Sequence, residues 1–380
     1  MANIIDYVKW RGDISFEESE VNALDALIFS ELVYLSFDDI VPSSVSTKGV
    51  LLPVLLDKYF SLHYDAFTTG AVLPIDDILE LFKLCAASRR FSSVTVKGFV
   101  NDIDIREEKQ FGAVCFDVGK STTVVAFRGT DDTLVGWKEN LNMAFFTPIP
   151  AQNHGNMYLK DVILNTDKER FVVCGHSKGG NIAVYASLYL DETIQNKIHS
   201  VYSFDGPGFK MDLVESARTC SLVERMYQIS PEDTMIGAIF NHFAKCIYVK
   251  SSVKGSQQHD AFTWQVLGKD FVYAVSATKG SIEFHNILER LVENMSDKER
   301  VDIVEAIYKF LTVNDATTLT DIASDKRKFL LGVLKTDMKT KATLFDFMNR
   351  FVKEKYFSRS DSRKREEKLL EEKGETTKKT

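Results

Sequence analysis

Residues 171–180 read Phe-Val-Val-Cys-Gly-His-Ser-Lys-Gly-Gly, and their reading decides the fold. Phe171 to Cys174 form a short apolar, β-favouring run. A tight turn follows, Gly175-His176-Ser177-Lys178-Gly179, and the chain leaves through Gly180, Asn181 and Ile182 into a helical pattern, AVYASLYL. Strand, turn and helix are the context that the G-x-S-x-G nucleophile elbow requires. Glycine suits positions 175 and 179 because a Cβ would collide where two backbone segments pass closely. Such a turn raises Ser177 Oγ above the carboxyl end of a sheet, beside a helix N-terminus that favours a developing anion. A five-residue pattern also arises by chance, so its meaning depends on partners elsewhere in the chain.

Upstream of the elbow, the period of the apolar residues changes once. Leu24, Leu27, Ile28, Glu31, Leu32 and Leu35 give a helical stripe with Asn22 as its cap, and Ile75, Ile78, Leu79 and Phe82 give another after Pro74. From Ser93 to Phe127 the pattern becomes strand-like, with Asp117-Val118-Gly119-Lys120 turning a hairpin. Gly119-Lys120-Ser121 is not the end of a phosphate-binding loop. Val114 stands where such a loop needs its first glycine, and a strand follows instead of a helix.

Downstream, three apolar runs end in polar or glycine-rich loops. They are Val201–Phe204 before Asp205-Gly206-Pro207-Gly208, Met226–Ile229 before Ser230-Pro231-Glu232-Asp233, and Cys246–Val249 before a loop carrying His259. Strands alternating with helices predict an α/β fold: a mostly parallel central sheet flanked by helices, with the site at its carboxyl edge. Beyond about Gly280 the pattern is helical throughout, with a capping box at Ser296–Glu299. The expected division is residues 1–280 as the α/β domain, 281–352 as a helical extension and 353–380 as a charged tail, frayed or disordered.

The whole chain narrows the function classes. Its 380 residues are 44% hydrophobic and 27% charged, ordinary for a globular protein, and the net charge of −7 argues against general nucleic-acid affinity. Neither a secretory signal nor an apolar run of transmembrane length is evident. Five cysteines without a CxxC pair indicate neither a disulfide framework nor a zinc site, and a reducing cytoplasm is the expected location.

A nucleophilic serine needs a base and a group that orients the base, in the chain order Ser, acid, His on this scaffold. Four histidines follow Ser177: His199, His242, His259 and His285. His259 is the strongest candidate because its loop follows the last strand and can reach back over the sheet edge; His242 is second. Asp233 is the preferred acid because it follows the second strand after the elbow, and Asp205, after the first, is the alternative. Glu232 is a weaker substitute, and Asp260 is too close to His259 in sequence for a linear hydrogen bond. Oxyanion donors are expected from the backbone N–H of Lys178 and from Thr130, in the Arg128-Gly129-Thr130 loop. Arg128 is expected to hold that loop in shape.

Phe127–Asp131, Trp137 with Asn140-Leu141, Gly175–Gly180, Ser203–Gly208 and Asp233 fall in the order found in class 3 lipases, which the chain resembles. The start, IIDYVKWRGDISFEE, with Glu31-Leu32-Val33-Tyr34-Leu35, is similar to an uncharacterised bacterial family of lipase-like α/β-hydrolases, a domain of unknown function. The resemblance spans Met1 to about Phe271 and leaves the C-terminal helices outside. It implies an α/β-hydrolase fold, a triad of Ser177, Asp233 and His259, and an oxyanion hole at Thr130 and Lys178. One difference lies inside the motif, where Lys178 takes a position at which class 3 lipases usually carry Leu.

The expectation is a serine hydrolase that needs no cofactor or metal and cleaves an ester or thioester of an apolar, lipid-like acyl group. Met143–Pro150 and Met235–Phe243 are the candidate pocket walls. The alternatives are a peptidase or small-ester esterase on the same scaffold, or a non-catalytic binding protein that engages a protein partner through its C-terminal helices.

Overall fold

A computed structural model describes residues 1–62, 74–217, 219–313 and 316–356. Eight strands form one sheet in sequential order: β1 (Val50–Leu51), β2 (Thr95–Asp104), β3 (Lys109–Val118), β4 (Thr122–Phe127), β5 (Arg170–His176), β6 (Ile198–Phe204), β7 (Met226–Pro231) and β8 (Cys246–Val249). β1 to β4 pair antiparallel, and β4 to β8 are all parallel. β3 and β4 are the expected hairpin, with Gly119 at a positive φ of 57° in its turn. A two-stranded ribbon of β9 (Val266–Leu267) and β10 (Asp270–Phe271) lies outside the main sheet.

Four helices precede β2 or flank it: α1 (Ile4–Arg11), α2 (Ala23–Leu32), α3 (Leu52–Leu62) and α4 (Ile75–Ala87). α5 (Leu134–Met143) and α6 (Pro150–Asn165) connect β4 to β5. α7 (Lys178–Leu188) and α8 (Glu192–Gln195) follow the elbow, and α9 (Met211–Ser216) follows β6. The chain then ends in α10 (Lys279–Glu293), α11 (Asp297–Leu311), α12 (Leu319–Ser324), α13 (Lys326–Lys335) and a helix over residues 338–356.

The one-directional strand order explains the layering. Right-handed crossovers that always step the same way along a parallel sheet place their helices on the same face. Accordingly, α6 and α7 pack with Val125, Phe127, Phe171 and Val173 in one cluster. The other face needs a separate cover, and the N-terminal helices supply it. α1, α2 and α4 pack there with Val124, Ala126, Val172 and Cys174, the alternate residues of the same strands. Asn22 caps α2 as expected, in a capping box with Asp25. The helix ends at Leu32, so Leu35 is buried beyond it and is not part of its stripe.

A third apolar cluster lies apart from the sheet. Phe145 and Phe240 pack there with Leu291, Val292 and Met295 and with Ile303 and Val304 of α11. It joins the C-terminal helices to the loops at the carboxyl edge. The last helix continues through residue 356, so it takes in the first residues of the charged stretch expected from Lys353; residues 357–380 lie outside the described residues. Among the described residues, no helix is long and apolar enough to cross a membrane.

Candidate active site

Parallel pairing from β4 to β8 brings the ends of the strands together. Phe127 pairs with Gly175, His176 with Phe204, Phe204 with Ile229, and Pro231 with Val249. The loops that follow them therefore open on one edge. Ser177 sits at φ 57° and ψ −130°, a conformation non-glycine residues avoid and which costs on the order of 1–3 kcal/mol. Its neighbours leave no room for relaxation. A Cβ on Gly175 would strike the Gly179 carbonyl, and one on Gly179 would strike the Phe127 carbonyl oxygen. The strain is held by the close approach of β4, β5 and the start of α7, and these features together define an α/β-hydrolase fold.

His259 reaches the edge from a short 3-10 turn over Gly255–His259. Its Nδ1 lies 2.7 Å from Asp205 Oδ2, and the Asp205 side chain is fully buried. With Nδ1–H donating to Asp205, Nε2 is the nitrogen left to accept a proton. Ser177 and His259 line the same cavity. No hydrogen bond joins Ser177 Oγ to His259 here, and such bonds often tighten only in the complex with substrate.

The structure bonds His259 to Asp205 and not to Asp233, the acid preferred from sequence. Asp233 Oδ1 accepts from Thr278 Oγ1 at 2.6 Å and its Oδ2 from the Gly255 N–H at 2.9 Å. Both oxygens are thus used in joining the start of α10 to the His259 loop. Asp205, at a positive φ of 47°, turns its carboxylate inward. Thr234 Oγ1 at 2.5 Å and the Gly237 N–H at 3.2 Å occupy Oδ1, which leaves Oδ2 for His259.

The other histidines are engaged elsewhere. His242 Nε2 bonds the Gly237 carbonyl at 2.8 Å and His285 Nδ1 the Ala238 carbonyl at 2.9 Å, while His199 sits at the opposite end of β6 beside Arg170.

Thr130 and Lys178 line the cavity with Ser177. Asn140 Nδ2 donates to Thr130 Oγ1 at 2.5 Å, so the Thr130 hydroxyl keeps its own proton to give. Lys178 is the first residue of α7, and its N–H has no intrahelical acceptor. The Lys178 side chain runs into the interior, where Nζ meets the Gln110 carbonyl at 2.7 Å, Gln110 Oε1 at 2.5 Å and Glu139 Oε2 at 2.9 Å. Burial lowers the Lys178 pKa and the Glu139 carboxylate opposes that shift. Glu139 also accepts from the Gln110 and Ala151 N–H groups. The charge that distinguishes this motif is thus tied to α5, the helix that presents Asn140. Arg128 holds its loop as expected, bonding Asn101 at 2.7 Å and lying 3.5 Å from Asp131.

A feature that the sequence pattern did not single out lies behind the serine. His176, buried, donates Nε2–H to the His259 carbonyl at 2.9 Å, and its ring lies 4.7 Å from the His259 ring. Its Nδ1 lies 3.3 Å from Glu31 Oε1. Burial pushes the His176 pKa down to about 3, with the His259 charge adding to the shift. Burial also raises the Glu31 pKa well above its ordinary value, assisted by Asp260. Glu31 Oε1 is buried without a hydrogen-bond partner beside this ring, and His176 steadies the His259 loop through its Nε2–H. Glu31 was legible only as one polar position in the α2 stripe.

Linkage fixes the sign of the pH effect. Between about 3 and 6.5 the unfolded chain binds the His176 proton and the folded protein does not, so this group's contribution to stability falls as pH falls through that window. The loss reaches about 1.4 kcal/mol per pH unit. Glu31 acts oppositely above its ordinary 4.5, because the folded protein retains a proton that the unfolded chain releases. Urea unfolding of His176→Gln, from neutral to acid pH, should show a shallower loss of stability than the wild type. Equal slopes would contradict a buried neutral His176.

The Mbeg1-like family model matches residues 85–309, more than half of the chain. The chain belongs to the Mbeg1-like family. The Mbeg1-like region takes in the sheet from β2 onward, with Ser177, Asp205, His259 and α10. The family is lipase-like, of the α/β-hydrolase type. Among solved structures, the chain is similar to M37 lipase, at 15% identity over 57% of this chain and 68% of that one, with a TM-score of 0.35. It is also similar to a substituted form of MDLA from Penicillium cyclopium, at 12% identity over 68% of this chain and 92% of that one, with a TM-score of 0.40. Comparison with curated proteins finds no match.

Proposed function

We propose that this Mbeg1-like protein is a serine hydrolase that cleaves esters or thioesters of apolar acyl groups. The observation that carries the reading is the bond from His259, half-buried, to the fully buried Asp205, set on the same cavity as a serine held in a strained elbow. Ser177 Oγ attacks the acyl carbonyl carbon while His259 Nε2 takes the hydroxyl proton. Asp205 keeps the imidazole in the required tautomer and stabilises its cation. The tetrahedral oxyanion is received by the Lys178 N–H and by Thr130, each such donor worth about a hundredfold to a thousandfold in rate. Collapse breaks the bond to the alcohol or thiol, which leaves with the proton from His259. Water then attacks the acyl-enzyme with His259 again as base, releasing the acid and restoring the serine.

The cavity supports an apolar acyl group. Its volume is about 550 Å³, and Met143, Phe145, Ile236, Ile239 and Phe240 are among the residues that line it. These come from the two apolar stretches singled out in the sequence. Volumes of about 300–1,000 Å³ with mainly apolar lining are typical of small-molecule sites.

A fluorophosphonate probe tests the proposal. The wild type should label covalently and Ser177→Ala should not. An unlabelled wild type would contradict hydrolysis and favour a non-catalytic binding protein; labelling that persists in Ser177→Ala would assign another nucleophile.

A further inference from the structure

α10 and most of α11 fall within the Mbeg1-like match, and with the last helix they enclose the same cavity as Ser177. Phe284, Leu288 and Leu291 of α10 line it at i, i+4 and i+7, the spacing of one helix face. Ile303 and Ile307 of α11 and Phe347 of the last helix complete this wall. An amphipathic helix normally covers its apolar face by packing, and protein interiors leave few voids. Here part of that face is packed in the third apolar cluster and part opens on the cavity.

The helices are also fastened on both sides of the site. Asp233 links Thr278, the cap of α10, to Gly255 in the His259 loop. Asn241 Nδ2 donates to Glu289 of α10 at 2.9 Å, and His285 bonds the Ala238 carbonyl. Across the cavity, Lys138 of α5 pairs with Glu305 of α11 at 2.6 Å, and the Leu134 N–H donates to the Thr317 carbonyl. The attachment thus runs through α5 on one side and through the 233–241 stretch on the other.

We infer that the C-terminal helices are the acyl-binding wall, and that the acyl chain of the ester or thioester substrate is enclosed between α10, α11 and the loops around Ser177. This rests on the serine-hydrolase reading. The apolar stripes on α10 and α11 then determine acyl length. Each methylene that enters the cavity gains up to about fourfold in kcat/KM from burial, until the space is full.

The test uses the full chain and an unbranched p-nitrophenyl ester series from acetate to palmitate, with fluorophosphonate labelling of Ser177 run in parallel. Leu288→Trp and Ile303→Trp fill the cavity. Each should lower the ratio of long-chain to short-chain kcat/KM at least tenfold and move the optimum to shorter chains. Leu288→Ala and Ile303→Ala enlarge it and should move the optimum the other way, so the inference stays testable if a tryptophan variant fails to fold. Val301→Trp, on an exposed position of α11, should leave the profile in place. A wild-type profile in the Leu288 and Ile303 variants, with Ser177 labelled, would overturn the inference while leaving the hydrolase reading intact. A wild type that does not label removes both.

Discussion

Asp205→Asn is expected to lower kcat for ester hydrolysis by about ten-thousandfold, the loss typical when the orienting carboxylate of such a site becomes an amide. The carboxylate accepts from His259 Nδ1–H at 2.7 Å and, being fully buried, has no water to substitute for it. An amide turned toward His259 through its NH₂ group would favour the wrong tautomer, leaving Nε2 unable to take the serine proton. Asp233→Asn should behave differently. Its effect should be lower thermal stability with kcat near the wild-type value, because Asp233 joins Thr278 to Gly255 and does not touch the base. Steady-state kinetics and thermal unfolding of the two variants decide the matter; the large kinetic loss in Asp233→Asn instead would restore the acid assignment made from sequence.

The second large effect is on folding. Lys178→Met should cost about 3–5 kcal/mol, the usual result of removing one member of a buried ion pair. Glu139 would keep only its two backbone donors, the N–H groups of Gln110 and Ala151, around a charge fully excluded from water. Adding Glu139→Gln removes the unpaired charge while preserving an acceptor. The double variant should therefore lose less than the sum of the single losses. Urea unfolding measures both quantities. A loss below about 1 kcal/mol for Lys178→Met would show that the pair does not secure the elbow to α5.

These two cases mark where the sequence was legible and where it was not. The elbow could be read because its determinants are contiguous: a strand, two glycines flanking a serine and a helix, all within Phe171–Leu188. The sheet followed from apolar periods that each strand carries within itself. The acid was not decidable in that way. Asp205 and Asp233 both end strands of the sheet, and the choice depends on which oxygens are already occupied. Thr278 and Gly255, the residues that occupy Asp233, lie 45 and 22 positions away. Lys178 looked out of place for the same reason, since Glu139 lies 39 residues earlier on another element.

The C-terminal helices show a further limit. Their helical pattern beyond about Gly280 was readable, and Ser296–Glu299 as a capping box that the structure contains. Periodicity says that a face is apolar and not what it meets. Here the meeting surfaces are Phe145 on one loop and Phe240 on another, and between them lies the cavity that contains Ser177. Glu31 was hidden in the opposite sense, as a polar residue in a helix whose described positions are nearly all buried, with its role set by His176 far along the chain.

The central claim is that Ser177 carries the acyl group during turnover. Mixing the protein with a p-nitrophenyl acyl ester, quenching in acid within the first turnover and mapping the adduct by peptide mass spectrometry tests it most directly. The account predicts the acyl mass on the peptide containing Ser177, and none in Ser177→Ala. Product release with no adduct on that peptide, or an adduct on another residue, would contradict it.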